Sequence, residues 1–410
     1  MSFPFGQTLQ AFSPSQGAQA GSTLVIYATS NGVGAGEIVP GYSVDQSSTA
    51  QVNGDSVYQS CFLYNLTADG SRTAAVSFLL NSSGVNRVPP YYFLLASESG
   101  NLWLYSLLPT ANASSFSASN VTLVNRIASF DTTIAAIAYE ADLGLIYLAG
   151  SNGNLYTYNV GWTTQNTPVF SYLGANKGYT STQDNIVTLM LATLAIGKCY
   201  LIATGLTLTD SSQAGSFLFL VDGQSPVLAD GTWIPGTDNS VGTVVDMNTE
   251  LIYTATSNSL ISHSFAELES QGSVLWSSSE ETILSLSASA NPDSIDGSQF
   301  SQGALFMATS PSGTPITDTT PGSIYTFDPA SGLVSPWLSQ VIDGAPYTLC
   351  ADQNLHVLVS YGLTGLFYAS IVFTEGVPSS AILSPNTSST TTSSTLSTFA
   401  SVAKLLFSID

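Results

Sequence analysis

A short pattern that recurs about every 53 residues constrains the fold of this chain more than any other feature. Each occurrence is an apolar run that ends in alanine, followed by a small or hydroxyl residue and a turn, as in LIYLAG at residues 145–150. The alanines are Ala28, Ala96, Ala149, Ala203, Ala255 and Ala308, and Ser360 takes the same place in a weaker seventh copy. Successive spacings are 68, 53, 54, 52, 53 and 52 residues, which indicates a chain built from internal repeats. The long first interval is explained by a polar insertion at residues 32–56.

Each repeat has the same internal order of predicted strands. We call the recurring alanine the marker residue and its strand the marker strand. An apolar strand precedes the marker strand, and a turn follows it. A third strand then alternates apolar and polar residues, as in NLYTYNV at 154–160. A shorter fourth strand often carries tryptophan: Trp233, Trp276 or Trp337. Four short strands in each of seven repeats, with no internal helix, predict an all-β fold, a seven-bladed β-propeller over residues 1–383. The predicted blades are 20–80, 85–130, 131–175, 185–236, 240–278, 281–340 and 344–383.

Two stretches resemble the repeats of quinoprotein-like and YVTN-type β-propellers. Those repeats contain an apolar-Tyr-apolar run, a small residue, a glycine turn and Leu-Tyr-x-aromatic, often followed by Asp-Pro-x-x-Gly. The matching stretches are LIYLAGSNGNLYTYNV (145–160) and SIYTFDPASG (323–332). The resemblance implies a propeller architecture over about residues 20 to 375. The chain has no adjacent cysteine pair and no tryptophan motif in every blade, so the quinone-dependent redox activity is not expected.

Charge is scarce. Six basic and 27 acidic residues give 8% charged residues and a net charge of −21. Such a chain has no basic footprint for nucleic acid. In strong acid the protonated carboxylates leave a net charge of only about +8. A fold that makes few ion pairs loses little stability when carboxylates protonate, so we expect an acid-stable protein that works outside the cell, as in the milieu of thermoacidophilic archaea.

The residues that could carry chemistry do not form a recognisable catalytic or metal site. A cluster of arginines would be needed to bind a carboxylate substrate on a propeller. The three arginines, Arg72, Arg87 and Arg126, fall in the first two repeats and would not converge across a ring. Asp293 with Asp296, and Glu280 with Glu281, are the carboxylate pairs that glycoside hydrolysis would need, but both pairs are predicted in turns. A calcium site at 293–297 lacks the Asp-x-Asp spacing of known loops.

Histidines and cysteines offer no better site. His263 and His356 have no nucleophile nearby by motif, and Cys61, Cys199 and Cys350 are expected as buried small side chains. We therefore predict no catalytic residues, no metal and no cofactor.

Five Asn-x-Ser/Thr sequons are glycosylation candidates: Asn65, Asn81, Asn112, Asn120 and Asn386. After the repeats, residues 384–395 are predicted to form a Ser/Thr-rich linker. Residues 396–410 have apolar side chains at helical spacing, which predicts a short amphipathic helix. Its apolar residues are Leu396, Phe399, Ala403, Leu406 and Phe407. Docking to a partner protein is favoured, and packing back on the propeller or lying on a membrane surface are the alternatives.

These features together predict a non-enzymatic structural or attachment protein. No secretory signal and no transmembrane run are visible, yet the composition is typical of an external protein. A virion component, such as an archaeal virus spike, turret or tail protein, would explain both the external composition and the lack of a visible secretory signal. Its loops 32–56 and 205–215 would recognise a host surface, such as a glycan, and its last segment would bind other virion or surface-assembly proteins. The alternatives are a secreted propeller glycan hydrolase or lyase, and a cell-surface or filament structural protein.

Overall fold

The computed structural model consists of antiparallel β-sheets. It describes residues 9–12, 23–29, 32–39, 57–64, 69–71, 73–79, 89–108, 118–181, 187–193, 198–246, 250–268, 270–289, 304–313, 320–328, 333–343, 346–352, 357–362, 365–374 and 377–382. Within these residues only two turns of 3-10 helix interrupt the strands, at Ala118–Asn120 and Phe265–Glu267.

The described strands form seven sheets. The first contains β1 (Leu9–Phe12), β2 (Thr23–Thr29), β3 (Gly32–Val39) and β4 (Val57–Tyr64). The second contains β5 (Thr73–Leu79), β6 (Tyr91–Ser97), β7 (Asn101–Leu107) and β8 (Val121–Ser129). The third contains β9 (Ile134–Glu140), β10 (Leu145–Gly150), β11 (Leu155–Trp162) and β12 (Pro168–Asn176).

The fourth sheet has five strands because two of them pair side by side with the same edge of a third strand. It contains β13 (Tyr179–Ser181), β14 (Thr188–Thr193), β15 (Cys199–Leu208), β16 (Ala214–Val221) and β17 (Thr232–Ile234). Both β13 and β14 pair with β15, at Leu206–Leu208 and at Cys199–Thr204 respectively.

The last three sheets each have four strands. The fifth contains β18 (Ser240–Asp246), β19 (Leu251–Thr256), β20 (Ser259–Ser264) and β21 (Ser273–Ser277). The sixth contains β22 (Glu281–Ser289), β23 (Ala304–Pro311), β24 (Pro321–Asp328) and β25 (Leu333–Asp343). The seventh contains β26 (Pro346–Asp352), β27 (Val357–Gly362), β28 (Gly365–Thr374) and β29 (Val377–Ile382).

The first strands of consecutive sheets contact one another. These contacts run from β1 to β5, β9, β14, β18, β22 and β26, and β26 also contacts β1. Sequential strand order within each sheet and apposed neighbouring sheets are consistent with an all-β propeller.

The apolar core lies between consecutive sheets. Residues of the second and third sheets form one cluster, those of the third and fourth another, and those of the fourth and fifth a third. In the described part of the chain, the second to fifth sheets therefore bury both of their faces against their neighbours. This explains why strands such as β6 and β10 are apolar at almost every position and buried throughout.

The burial of the marker alanines supplies a packing reason for the repeat, since a small side chain lets neighbouring sheets pack closely. Ala96, Ala149, Ala203, Ala255 and Ala308 are all completely buried on second strands. The residue that follows is also buried, and between the fourth and fifth sheets it joins a row of hydroxyl groups. The Thr204 hydroxyl lies 3.1 Å from that of Ser216 and 3.0 Å from that of Thr243, so these buried groups satisfy one another.

Three boundaries differ from the sequence prediction. The predicted blade 20–80 spans two sheets, because β5 pairs with β6, and the first sheet begins earlier, at Leu9. The predicted loop 32–56 begins with a strand, β3, whose glycine-rich sequence GVGAGEIV hid its strand character. The predicted loop 205–215 is only a turn at 209–213, because β15 continues to Leu208 beyond a register shift.

Candidate functional site

Charged residues are almost confined to the turns and strand ends. Among the 29 described strands, only Glu37 and Arg126 place a formally charged side chain away from a strand end. In an antiparallel sheet of four strands, the turn between the second and third strands lies at one end of the sheet. The segment that connects the fourth strand to the next sheet lies at the same end. We call this side the turn face. The charged residues in its described connections are Asp69, Glu98, Asp131, Lys177, Asp210, Asp238 and Glu280, and Glu281 and Asp343 lie at strand ends on the same side. The turn face is therefore acidic.

The best-defined polar cluster of the turn face surrounds Asp69. Its Oδ1 accepts hydrogen bonds from the backbone N–H of Ser71 at 3.0 Å and from the Ser71 hydroxyl at 2.7 Å. Its Oδ2 accepts from the hydroxyls of Ser99 at 2.6 Å and Ser97 at 3.4 Å, and from the side-chain amide of Asn101. One carboxylate thus joins the entry to β5 with the turn between β6 and β7.

The hydrogen bonds determine the ionisation of Asp69. Burial acts to raise its pKa, but the hydrogen bonds from Ser99, Ser71 and Asn101 outweigh it and hold the pKa well below its usual range. Five hydrogen bonds also occupy both carboxylate oxygens. A carboxylate that stays ionised and saturated is poorly suited to proton transfer near neutral pH, so Asp69 ties the loops together.

The next sheets continue the turn face with hydroxyl contacts. The Thr133 hydroxyl donates to the backbone carbonyl of Glu98 at 2.7 Å, which links the second and third sheets. The hydroxyls of Thr132 and Ser151 lie 3.0 Å apart, and the Ser181 hydroxyl donates to the Ser151 carbonyl. This part of the turn face presents hydroxyl, amide and carboxylate groups on connections held by hydrogen bonds.

The first strands, which contact one another at the centre, carry little ionisable chemistry. Their formally charged residues are confined to strand ends: Glu140, Asp246, Glu281 and Asp352. The remaining positions are small, apolar or hydroxyl residues with a few larger ones, as in TAAVSFL of β5 and SVGTVVD of β18. The described first strands therefore bring no set of acids and bases together along their lengths.

The sequence-predicted candidates that the structure describes lie on different sheets. The backbone N–H groups of Glu280 and Glu281 both donate to the Ser278 hydroxyl at 3.1 Å, which places them in a turn and at the start of β22. Arg126 lies on β8 with its guanidinium 6.0 Å from the centre of the Trp103 ring. Cys199 is buried at the start of β15. No group of three His, Cys, Asp or Glu side chains that could hold a metal occurs in the described ranges.

Several candidates lie outside the described residues. They are Arg72, Arg87, Asp293, Asp296, His356, the sequons Asn65, Asn81, Asn112 and Asn386, and the tail residues Leu396, Phe399, Ala403, Leu406 and Phe407. Of the sequons, Asn120 is described. It ends the Ala118–Asn120 turn, is half-buried, and donates its side-chain amide to the Leu108 carbonyl at 2.8 Å.

His263 is a buried side chain whose protonation is expected to affect stability at acid pH. It lies on β20 and is only 1% exposed. Burial lowers its pKa, against a smaller opposite influence of the Ser270 backbone, which does not reach hydrogen-bond geometry with either ring nitrogen. A histidine that is neutral when folded takes up a proton on unfolding, so it destabilises the fold as the pH drops.

We expect the free energy of unfolding to fall as the pH is lowered through about 6.5, the pKa of an unfolded histidine. The loss ends once the pH passes below the lowered folded pKa. His263→Phe keeps a ring of similar size and should flatten this part of the profile. His356→Phe, which removes the other histidine, is the matched control and should retain the slope. Denaturant unfolding between pH 8 and pH 4 measures both; equal slopes in the two variants would contradict the role of His263.

Comparisons by sequence found no relative of this chain. No protein-family model matches it, and no curated protein sequence matches it. The quinoprotein-like resemblance is therefore unsupported by a family match. Among the residues that the structure describes, no helix is long and apolar enough to cross a bilayer.

Solved structures are similar at low sequence identity. One is a chain of the mitotic checkpoint complex, with a TM-score of 0.51, 10% identity, and coverage of 90% of this chain and 87% of that one. A protein from Lactobacillus plantarum has a TM-score of 0.53 and 10% identity over 87% and 91% of the two chains. Raptor from Chaetomium thermophilum has a TM-score of 0.50 and 11% identity, covering 90% of this chain but 28% of its own. At such identities the likeness concerns the fold alone, and it is consistent with a β-propeller.

Proposed function

We propose that the seven sheets are the blades of one closed, seven-bladed propeller. Two observations support the ring: the first strands contact one another in chain order, and β26 of the seventh sheet returns to β1 of the first. The nearly constant spacing of about 53 residues gives each blade one repeat. Closure of this kind buries both faces of every sheet and leaves only the outer strands as edges.

Within this fold, we infer a non-enzymatic structural or attachment function on an extracellular particle, such as a spike, turret or tail component of an archaeal virus. The observation that carries the non-enzymatic part is the composition of the first strands, which have formally charged residues only at their ends. Asp69, the best-connected carboxylate, is ionised and saturated by hydrogen bonds, so it supports a rigid surface in preference to proton transfer.

The turn face indicates the class of ligand. Its described connections carry six carboxylates and a single lysine, so an anionic ligand would be repelled. Carboxylates, hydroxyls and amides accept and donate the hydrogen bonds that sugar hydroxyls require. The attachment ligand that fits this surface is a neutral glycan of the host surface. The segment 396–410, with its predicted apolar stripe, would anchor the protein to other components of the particle.

Binding to an array of neutral and anionic glycans, followed by analysis of bound glycans for cleavage, tests this function. The expected result is binding of neutral glycans without any product, weakened when Glu98 and Asp131 of the turn face are replaced together by lysine. A variant with Glu250 and Glu267 replaced by lysine on the opposite side is the matched control. Released glycan fragments, or a preference for anionic glycans, would contradict the proposal.

A further inference from the structure

His263 is enclosed by the fold without a hydrogen-bond partner. It pairs with Ile252 of β19, which belongs to the core between the fourth and fifth sheets. Side chains of directly opposed residues lie on the same face of a sheet, so the imidazole faces that core. Both ring nitrogens are buried, and neither has a hydrogen-bond partner among the described residues. The neutral ring therefore leaves its N–H donor and its second nitrogen unsatisfied, which costs folding free energy.

One short segment covers the ring. Residues 265–268 and 270–272, which we call the strap, lie between β20 and β21. Gly272 lies directly against the imidazole, since a Cβ added there would come within 2.6 Å of Cε1 and 2.7 Å of Nδ1. Its φ of +70° is one that residues with a side chain rarely adopt. The close approach of the strap to the ring thus depends on a glycine at this position.

Local contacts hold the strap. The Phe265 N–H donates to the Glu250 carbonyl at 3.0 Å, and the Ser270 N–H donates to the Glu267 carbonyl at 3.1 Å. Phe265 and Leu268 are partly buried against the core of the fourth and fifth sheets, whereas Glu267 and Ser270 are exposed. A segment with few buried side chains opens at a lower free energy than the core strands beside it.

Charged groups near the strap do not compensate a proton on the ring. No described side chain bonds either ring nitrogen, and burial lowers the pKa of the imidazole, with only the Ser270 backbone acting against it. An imidazolium is therefore disfavoured while the strap stays closed. The titratable side chains on the neighbouring described elements are Tyr200, Asp238, Glu250, Tyr253 and Glu267, and Asp246 and Glu269 also belong to these parts of the sequence.

We propose that acid opens the strap, because His263 takes up a proton only when the strap moves away from the ring. In the open state water reaches the imidazolium, and the net charge of −21 favours an added cation. Opening also uncovers Phe265 and Leu268, which adds apolar surface at the end of the fold opposite the turn face. This response to protons does not depend on what the turn face binds.

The coupling has a defined dependence on pH. Above about pH 7 the ring is neutral in both the open and the closed form, so opening does not depend on pH. Below about pH 6.5, the ordinary pKa of histidine, protons bind the open form alone. The open population should then rise about tenfold for each pH unit, until the open form predominates.

Hydrogen–deuterium exchange of the full chain, read by mass spectrometry, tests the strap. Protection factors compare each peptide with the rate of an unstructured chain at the same pH. Between pH 7 and pH 4.5 we expect the protection of a peptide spanning 265–272 to fall about a hundredfold. A peptide from the buried strand β10 should be better protected than the strap at every pH, because the strap opens without unfolding of the sheets.

Two variants of His263 isolate its role. His263→Phe removes the titrating ring and should leave the protection of the strap independent of pH. His263→Gln is polar but does not titrate, and it should give the same result if the phenylalanine variant does not fold. His356→Phe is the matched control and should retain the hundredfold fall.

Three results would overturn the proposal. The first is a strap whose protection does not change between pH 7 and pH 4.5. The second is one protection factor shared by the strap and β10 at every pH, which would mean that His263 is protonated only when the whole fold opens. The third is a fall that persists in both variants of His263.

Discussion

Replacing Gly153 with alanine is expected to lower the free energy of unfolding by about 3 kcal/mol or more. Gly153 lies in the turn between β10 and β11 with φ of +86°, a conformation that alanine adopts only with strain. An added Cβ would lie 2.4 Å from the Thr180 Cα and 2.5 Å from its carbonyl carbon. Because Thr180 belongs to β13 of the next sheet, the variant must separate two sheets or distort the turn.

Gly313 is a matched control for this substitution. It follows β23 in the corresponding turn of the sixth sheet, with φ of +71°, and an added Cβ there meets no atom of the described residues within 4 Å. Gly313→Ala should therefore cost only the backbone strain, about 1 kcal/mol. Chemical denaturation of both variants gives the comparison. Equal losses would show that the approach of the third and fourth sheets does not stabilise the fold.

Replacing the marker residue Ala203 with leucine is the second large expected effect. Ala203 is completely buried on β15, between its pairing partners Leu189 and Phe217, in the core shared by the third and fourth sheets. Three extra carbon atoms do not fit there without displacing a sheet, and overpacking of this kind costs about 1–3 kcal/mol.

Ala266→Leu provides the comparison for Ala203→Leu. Ala266 lies in the exposed 3-10 turn Phe265–Glu267, where the larger side chain extends into solvent and the change should stay within about 0.5 kcal/mol. Urea unfolding midpoints measure both variants. If Ala203→Leu were as mild as Ala266→Leu, the repeated small residue would need another explanation than close packing of neighbouring sheets.

The sequence was most informative where packing repeats. The marker alanines recur where second strands are covered by neighbouring sheets on both sides, as the structure describes for β6, β10, β15 and β19, so the repeat reflects one packing constraint that acts on successive sheets. The strand order followed from this pattern. The prediction from the pattern failed at β3. Five of its residues have a weak strand preference, yet they pair with both neighbouring strands, because those strands supply the hydrogen bonds. They are Gly32, Gly34, Ala35, Gly36 and Glu37.

The turn face was harder to predict from sequence. In the sequence, Asp69-Gly70 indicates only a turn, and Gly70 does have a turn conformation with φ of +74°. The hydrogen bonds from Ser97, Ser99 and Asn101 join residues about 30 positions apart in the chain, and no local spacing signals them. The alternation Ser97-x-Ser99-x-Asn101 was the one available signal, and it is weak in a chain so rich in serine.

Asp69 and His263 act in the same direction in acid, because the folded pKa of each lies below its ordinary value. The stability that the ionised, hydrogen-bonded Asp69 contributes is lost progressively as the pH falls from about 4, the pKa of an unfolded aspartate, towards the lowered folded value. The burial of His263 favours the neutral ring and penalises the folded state below about pH 6.5. We therefore expect the free energy of unfolding to fall in two successive ranges of pH, the first from His263 and the second from Asp69.

The central claim, that this chain is displayed on an extracellular particle, is tested most directly by mass spectrometry of gradient-purified particles released by the source culture. The account predicts that the polypeptide copurifies with intact particles at many copies each. Mild protease treatment of those particles should release peptides from the propeller while peptides of residues 396–410 stay with the particle. Particles free of the polypeptide, with the chain recovered instead in the particle-free medium, would contradict the account.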